Sequence, residues 1–160
     1  VYPSEALLDL HDGGHASLRR LLAHCGGLAP DALHRELPGF GYPTVPRQLV
    51  HAIGAEHSWV GVLLGVVDAA DRDDGYPTTD ALEGWRAEVA AATDAYLGAA
   101  SVEALNAPRA FLTWGGRTQV LVPARVIVRT VTHLYQHQGQ GVAMCRLLGA
   151  PAAGLDFPVA

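Results

Sequence analysis

His133 and His137 lie four residues apart in VTHLYQHQGQG, within a longer stretch, 123–149, whose apolar residues are mostly Val, Ile, Leu and Ala. On a helix this spacing puts both rings on one face, about 6 Å apart. That separation suits two ligands of one metal ion, and a facing helix of a bundle can supply a third. Without such a third ligand, the pair reads as two partly exposed histidines on a helix surface. The apolar segment before residue 67 offers His51 and His57. Six residues apart, they point about 120° from each other, so only one can share a site with the pair. The periodicity of that segment does not choose between them, although His51 shares a face with the small residues Ala55 and Ser58. His11 and His15 repeat the four-residue spacing, but Gly13 and Gly14 stand between them, and solvent-facing rings are expected there. His24 and His34 lie in or near a loop and are assigned no role.

The elements that must position these residues read as four helices. The first spans about Ser4 to Cys25, with Leu7, Leu8, Leu18, Leu21 and Leu22 on its apolar face and Gly26-Gly27 at its end. Gly13 and Gly14 weaken it by about 1 kcal/mol each relative to Ala. After the loop PGFGYPT, Thr44 is placed to cap the second helix, Pro46 fits its first turn, and the helix reaches about Val67. It is apolar almost all round and should be central. Asp68–Thr79 is long enough to cross from one end of a bundle to the other. Asp80-Ala-Leu-Glu83 forms a capping-box pattern for a third helix ending near Ala99. The period then changes: Phe111–Val122 alternates around Gly115-Gly116 and predicts a small hairpin. Pro123 opens the fourth helix and Gly149 stops it. The expectation is an all-α four-helix bundle with one long crossover and a small β-hairpin before its last helix, in a single domain over 1–160.

Composition narrows the function classes. The 160 residues carry a net charge of −5, and every basic residue is Arg. An acidic surface repels a phosphate backbone, so no nucleic-acid partner is expected. The apolar runs are interrupted too often to span a membrane, and no secretory pattern opens the chain. Cys25 and Cys145 are too few and too distant in sequence for a disulfide framework or a Cys-rich zinc site. Two reduced thiols in a cytoplasmic protein are expected, and Cys145, two turns past His137, cannot reach the same ion. Trp59, Trp85 and Trp114 read as core or interface residues.

Longer motifs add a resemblance. HAIGAEHSW at 51–59, followed by GVLLG, resembles the His-x-x-x-x-Glu-x-x-Trp signature of the second helix in the DinB/YfiT-like family. THLYQHQGQGVAMCRLLGAP at 132–151 resembles its fourth-helix motif, ELPGFGYPT its first interhelical loop, and GLDFPV its Asp-Phe ending. The resemblance implies a four-helix bundle in up-down-down-up order, with the long crossover between helices two and three. It implies metal ligands at His51, His133 and His137, excluding His57, and a homodimer. The family's Arg after the last histidine is replaced by Gln138.

Three neutral imidazoles on a divalent ion leave a coordination position open, as at catalytic zinc. Zinc is the first expectation, and nickel, iron, copper or manganese can occupy such ligands. An open site can activate water for hydrolysis, with a pKa lowered to about 7, or deprotonate a thiol. The resemblance implies the second use: transfer of a low-molecular-weight thiol, bacillithiol- or mycothiol-like, to a small electrophile. The alternatives are a metal-dependent hydrolase, a non-catalytic stress protein that binds a metal or small ligand, and a DNA-directed protein, which the acidic charge opposes. Glu56, about 140° around its helix from His51, is expected to support rather than ligate. Gln140 belongs to the matching motif and is expected to orient a neighbour. Arg125 and Arg129 lead to the histidine pair in four-residue steps, and Arg129 is expected to face a substrate carboxylate or a buried acid.

Overall fold

The computed structural model describes residues 1–67, 75–153 and 155–158. Helices dominate. α1 (Ser4–Gly26), α3 (Val45–Leu64), α4 (Thr79–Ala99) and α6 (Pro123–Leu147) are the four long ones, and α2 (Pro30–Leu33) and α5 (Val102–Asn106) are single turns between them. An antiparallel hairpin of β1 (Arg109–Thr113) and β2 (Arg117–Leu121) precedes α6. Much of the expected crossover, residues 68–74, lies outside the described residues.

Local chemistry sets the ends of these elements. Thr44 caps α3 by accepting from the Arg47 N–H at 3.4 Å, and Pro46 occupies the first turn, as its fixed φ favours. The helix stops three residues short of Val67. Gly65 takes the left-handed region at φ 77°, and the Val66 N–H turns back to the Gly61 carbonyl at 2.8 Å. The capping box at 80–83 does not form. Thr78 caps α4 instead, accepting from the Ala81 N–H at 3.2 Å, while Glu83 takes two bonds from Arg86 at 2.7 and 2.8 Å. An arginine one turn away offers a carboxylate a stronger, bidentate partner. The hairpin begins two residues before Phe111 and turns through Gly115 and Gly116, both in the left-handed region (φ 70° and 71°). Inside α1, Gly13 has a packing reason: the Phe157 ring of the C-terminal tail lies where a Cβ would stand.

Each long helix packs against two others: α3 against α6 and α4, and α1 against α4 and α6. The apolar interior has two parts. Leu18, Leu21, Leu49, Ile53, Leu82, Trp85 and Leu134 fill one, and Leu7, Val60, Leu97, Leu105 and Ile127 the other. Buried polar residues separate them along three of the helices: His11 and His15 on α1, Glu56 on α3 and Thr93 on α4. Among the described residues, no helix is long and apolar enough to cross a membrane.

Candidate metal centre

Where α3 meets α6, His51, His133 and His137 converge. One donor atom from each ring can be chosen so that all three lie within 4.8 Å of one another. The Nε2 atoms of His51 and His133 are 3.2 Å apart. Two imidazole nitrogens held about 2.0–2.1 Å from one tetrahedral ion lie about 3.3 Å from each other, so this pair already has a ligand-to-ligand spacing. Among the described residues, no further His, Cys or carboxylate joins the three.

The surroundings prepare the rings as ligands. Burial, then the neighbouring His133 and His51, pushes the His137 pKa down to about 4. Burial, then His51 and Arg129, lowers His133. Both are therefore neutral at pH 7, the state a metal ligand requires. Gln48, one turn before His51 and fully buried, meets Nδ1 of His137 with its side-chain amide. The Gln48 Oε1 is otherwise without a partner. Turned over, the nearly isosteric amide puts that oxygen on the ring, where it accepts from Nδ1–H and leaves Nε2 free for a metal. This is the orientation that outer partners impose on ligating histidines. Tyr42, from the loop before α3, stacks on His51 (ring centroids 4.0 Å, planes 20° apart) and meets His137 edge-on at 6.1 Å. It walls one side of the cluster. Spacing in the sequence singles out neither Gln48 nor Tyr42 as a site residue; the signal for Gln48 is a polar residue three positions before His51 on a mostly apolar helix.

Glu56 lies elsewhere. Its carboxylate accepts from His11 Nε2 and His15 Nε2, both at 2.8 Å, and from the Thr93 hydroxyl at 2.6 Å. His11 and His15 are thus buried, 1% and 5% exposed, which corrects the solvent-facing expectation. The glycines between them do not break α1, and a buried carboxylate needs the donors they offer. His11 Nδ1 also lies 2.8 Å from Asp94 Oδ1, close enough for an ion pair when the ring is protonated. Burial opposes charge at both ends of this pair. The hydrogen bonds from His11 and His15 nevertheless hold the Glu56 carboxyl well below the usual range, and the carboxylates of Glu56 and Asp94 hold His11 above its ordinary pKa.

His11, His15 and Glu56 are also close enough to share an ion, but their hydrogen bonds favour a metal-free network. Arg86 Nη1 stands 3.1 Å from His15 Nδ1. A guanidinium only donates, so Nδ1 must accept and Nε2 carries the proton given to Glu56. That nitrogen then has no lone pair for a metal.

The remaining predicted residues fall as follows. Arg129 is exposed, with its guanidinium 5.2 Å from the centre of the Trp59 ring, and its charge reaches His133. Gln140 is half-buried on α6, three residues past His137. Gln138, where the family motif has Arg, is buried and ties α6 to α1: it accepts from the Ser17 hydroxyl at 2.8 Å and donates to the Gly14 carbonyl at 3.4 Å. His57 stands against Trp85 (6.0 Å between rings), away from the three-histidine cluster. Trp85 is core, stacked on Tyr76.

Comparison with known proteins gives a consistent result. The profile of the DinB family matches residues 15–160. A solved DinB-like protein from Bacillus cereus ATCC 10987 is similar in fold, with a TM-score of 0.74 and 16% identity over 94% of this chain and 95% of that one. No curated protein matches the chain.

Proposed function

Because the chain belongs to the DinB family, we propose that it is a metal-dependent enzyme that transfers a low-molecular-weight thiol, bacillithiol- or mycothiol-like, to small electrophiles. The observation that carries this reading is the convergence of three imidazoles with no fourth protein donor among the described residues. His51, His133 and His137 would hold the ion: zinc by donor type, with nickel, iron, copper and manganese as competitors. Such an ion with an open position supplies a nucleophile near neutral pH by lowering the pKa of a thiol or a water.

The chain's own residues do the rest. Gln48 fixes the tautomer and tilt of His137. Tyr42 shields the His51 face from solvent and offers an aromatic wall to a substrate. Arg129, held over Trp59, pairs with a carboxylate of the thiol or the electrophile. Gln140 orients a neighbouring group on α6. Glu56 acts at a distance, by anchoring α3 to α1 and α4. The reading includes an up-down-down-up bundle, which the ring of helix contacts and the long segment between α3 and α4 favour. It also includes a homodimer, for which the exposed Leu112 and Val120 on one face of the hairpin offer an apolar surface.

The test is a conjugation assay. Zinc-loaded protein is mixed with a panel of low-molecular-weight thiols and a chromogenic aryl halide, and thioether formation is followed. Thiol-dependent turnover that disappears in His133→Ala supports the proposal. Ester or amide cleavage without thiol would replace it with a hydrolase, and a metal-loaded chain inert in both assays with a non-catalytic binder.

A further inference from the structure

Cys25 and Cys145 are the chain's only two cysteines, 120 residues apart in sequence. The fold nevertheless brings their sulfurs to 3.7 Å, both fully buried and both free thiols. Cys25 is one residue from the end of α1, and Cys145 two from the end of α6. A cystine needs sulfurs about 2.05 Å apart, so closure asks for about 1.7 Å of relative movement at two helix ends. Rotation of the side chains supplies movement of that size, and terminal turns open more readily than helix centres.

We propose that Cys25 and Cys145 are an oxidation site, at which a hydroperoxide forms a disulfide that ties α1 to α6. Either sulfur can donate the hydrogen bond between them. Accepting it, with His24 nearby and burial opposing, lowers the Cys145 thiol, and donating it raises Cys25. Cys145 is then the attacking thiolate and Cys25 the resolving thiol. The Cys145 sulfur attacks the terminal oxygen of the hydroperoxide, the O–O bond breaks, and the alkoxide leaves as alcohol after taking a proton. Cys145 becomes a sulfenic acid. The Cys25 sulfur attacks it, the S–O bond breaks, and hydroxide leaves with the Cys25 proton as water. Two thiols are oxidised to one disulfide and one peroxide is reduced to alcohol and water. The bond would fasten α1 to the helix that bears His133 and His137, with Gln138 already joining the same two helices.

The experiment treats the native chain with tert-butyl hydroperoxide in small excess, then unfolds it without reductant for intact-mass measurement and maleimide titration. The expected product has lost two hydrogens, has no free thiol, is monomeric on a non-reducing gel, and reverts with dithiothreitol. Closing so long a loop raises Tm by about 10 °C. Cys25→Ser should stop at a sulfenic acid on Cys145 that dimedone traps. If that variant does not fold, the mass and thiol count of the native chain decide alone. Two thiols that persist, added oxygen without hydrogen loss, or crosslinking between chains overturns the proposal.

Discussion

Glu56→Gln separates the roles of the two buried polar clusters. The side chain is 2% exposed, and its carboxylate takes bonds from His11, His15 and Thr93. Glutamine keeps the shape and one accepting oxygen, but its amide end meets a histidine donor, and His11 loses its buried counter-charge, keeping only the more exposed Asp94. Removing one partner of a buried charged pair costs about 3–5 kcal/mol, and the retained oxygen returns part of that. The expected loss is about 3 kcal/mol, or about 6–12 °C in Tm for a chain of this size. Its pH dependence follows from both groups. The Glu56 pKa is lowered on folding from 4.5, so its contribution is present above that value and is lost as pH falls through the folded-state pKa. The His11 pKa is raised from 6.5, so its contribution is complete below that value and is lost as pH rises through the folded-state pKa. Asp94 beside His11 and Arg86 beside His15 are the other charged groups facing the pair. The native chain should therefore exceed the variant most between about pH 4.5 and 6.5, with the gap narrowing on both sides. Urea unfolding of both proteins from pH 4 to 9 measures this. A loss under about 1 kcal/mol, or a gap that does not change with pH, refutes the charged-network account.

Other perturbations test separate parts of the structure. Gln48→Leu removes the partner of His137 Nδ1, and competition with a chromophoric chelator should show metal affinity about 10–100-fold weaker, with the helical circular dichroism unchanged. Arg129→Gln should raise KM for an anionic thiol in steady-state assays while kcat changes little; equal KM values would remove Arg129 from substrate binding. Thr78→Ala should cost about 1 kcal/mol in thermal unfolding and Asp80→Ala clearly less, since Thr78 is the cap. Gly13→Ala places a methyl where the Phe157 ring lies, so limited proteolysis should cut the C-terminal tail faster.

The three-histidine group was legible because two of its members share a helix at ligand spacing, and the third lies in a second recognisable motif. The Glu56 cluster was not legible. Its members are ordinary in their own segments: His11 and His15 flank two glycines, and Glu56 stands alone on an apolar helix. One clue was available. A carboxylate on an apolar helix, turned about 140° from His51, must find donors on other helices. Helix ends depended on residue-level competition. Gly65 ended α3 before its apolar pattern did, and Arg86 drew Glu83 away from the capping box. The contacts of Phe157 with Gly13 and of Cys25 with Cys145 join residues more than a hundred positions apart, and no local periodicity encodes them.

The central claim is that His51, His133 and His137 hold a catalytic metal. Elemental analysis after zinc loading and desalting, on the native chain, His51→Ala, His133→Ala and Glu56→Gln, tests it most directly. The account predicts about one ion per chain in the native protein and in Glu56→Gln, and none in either histidine variant. Metal retained in both histidine variants but lost from Glu56→Gln would move the site to the His11–His15–Glu56 cluster and contradict the account.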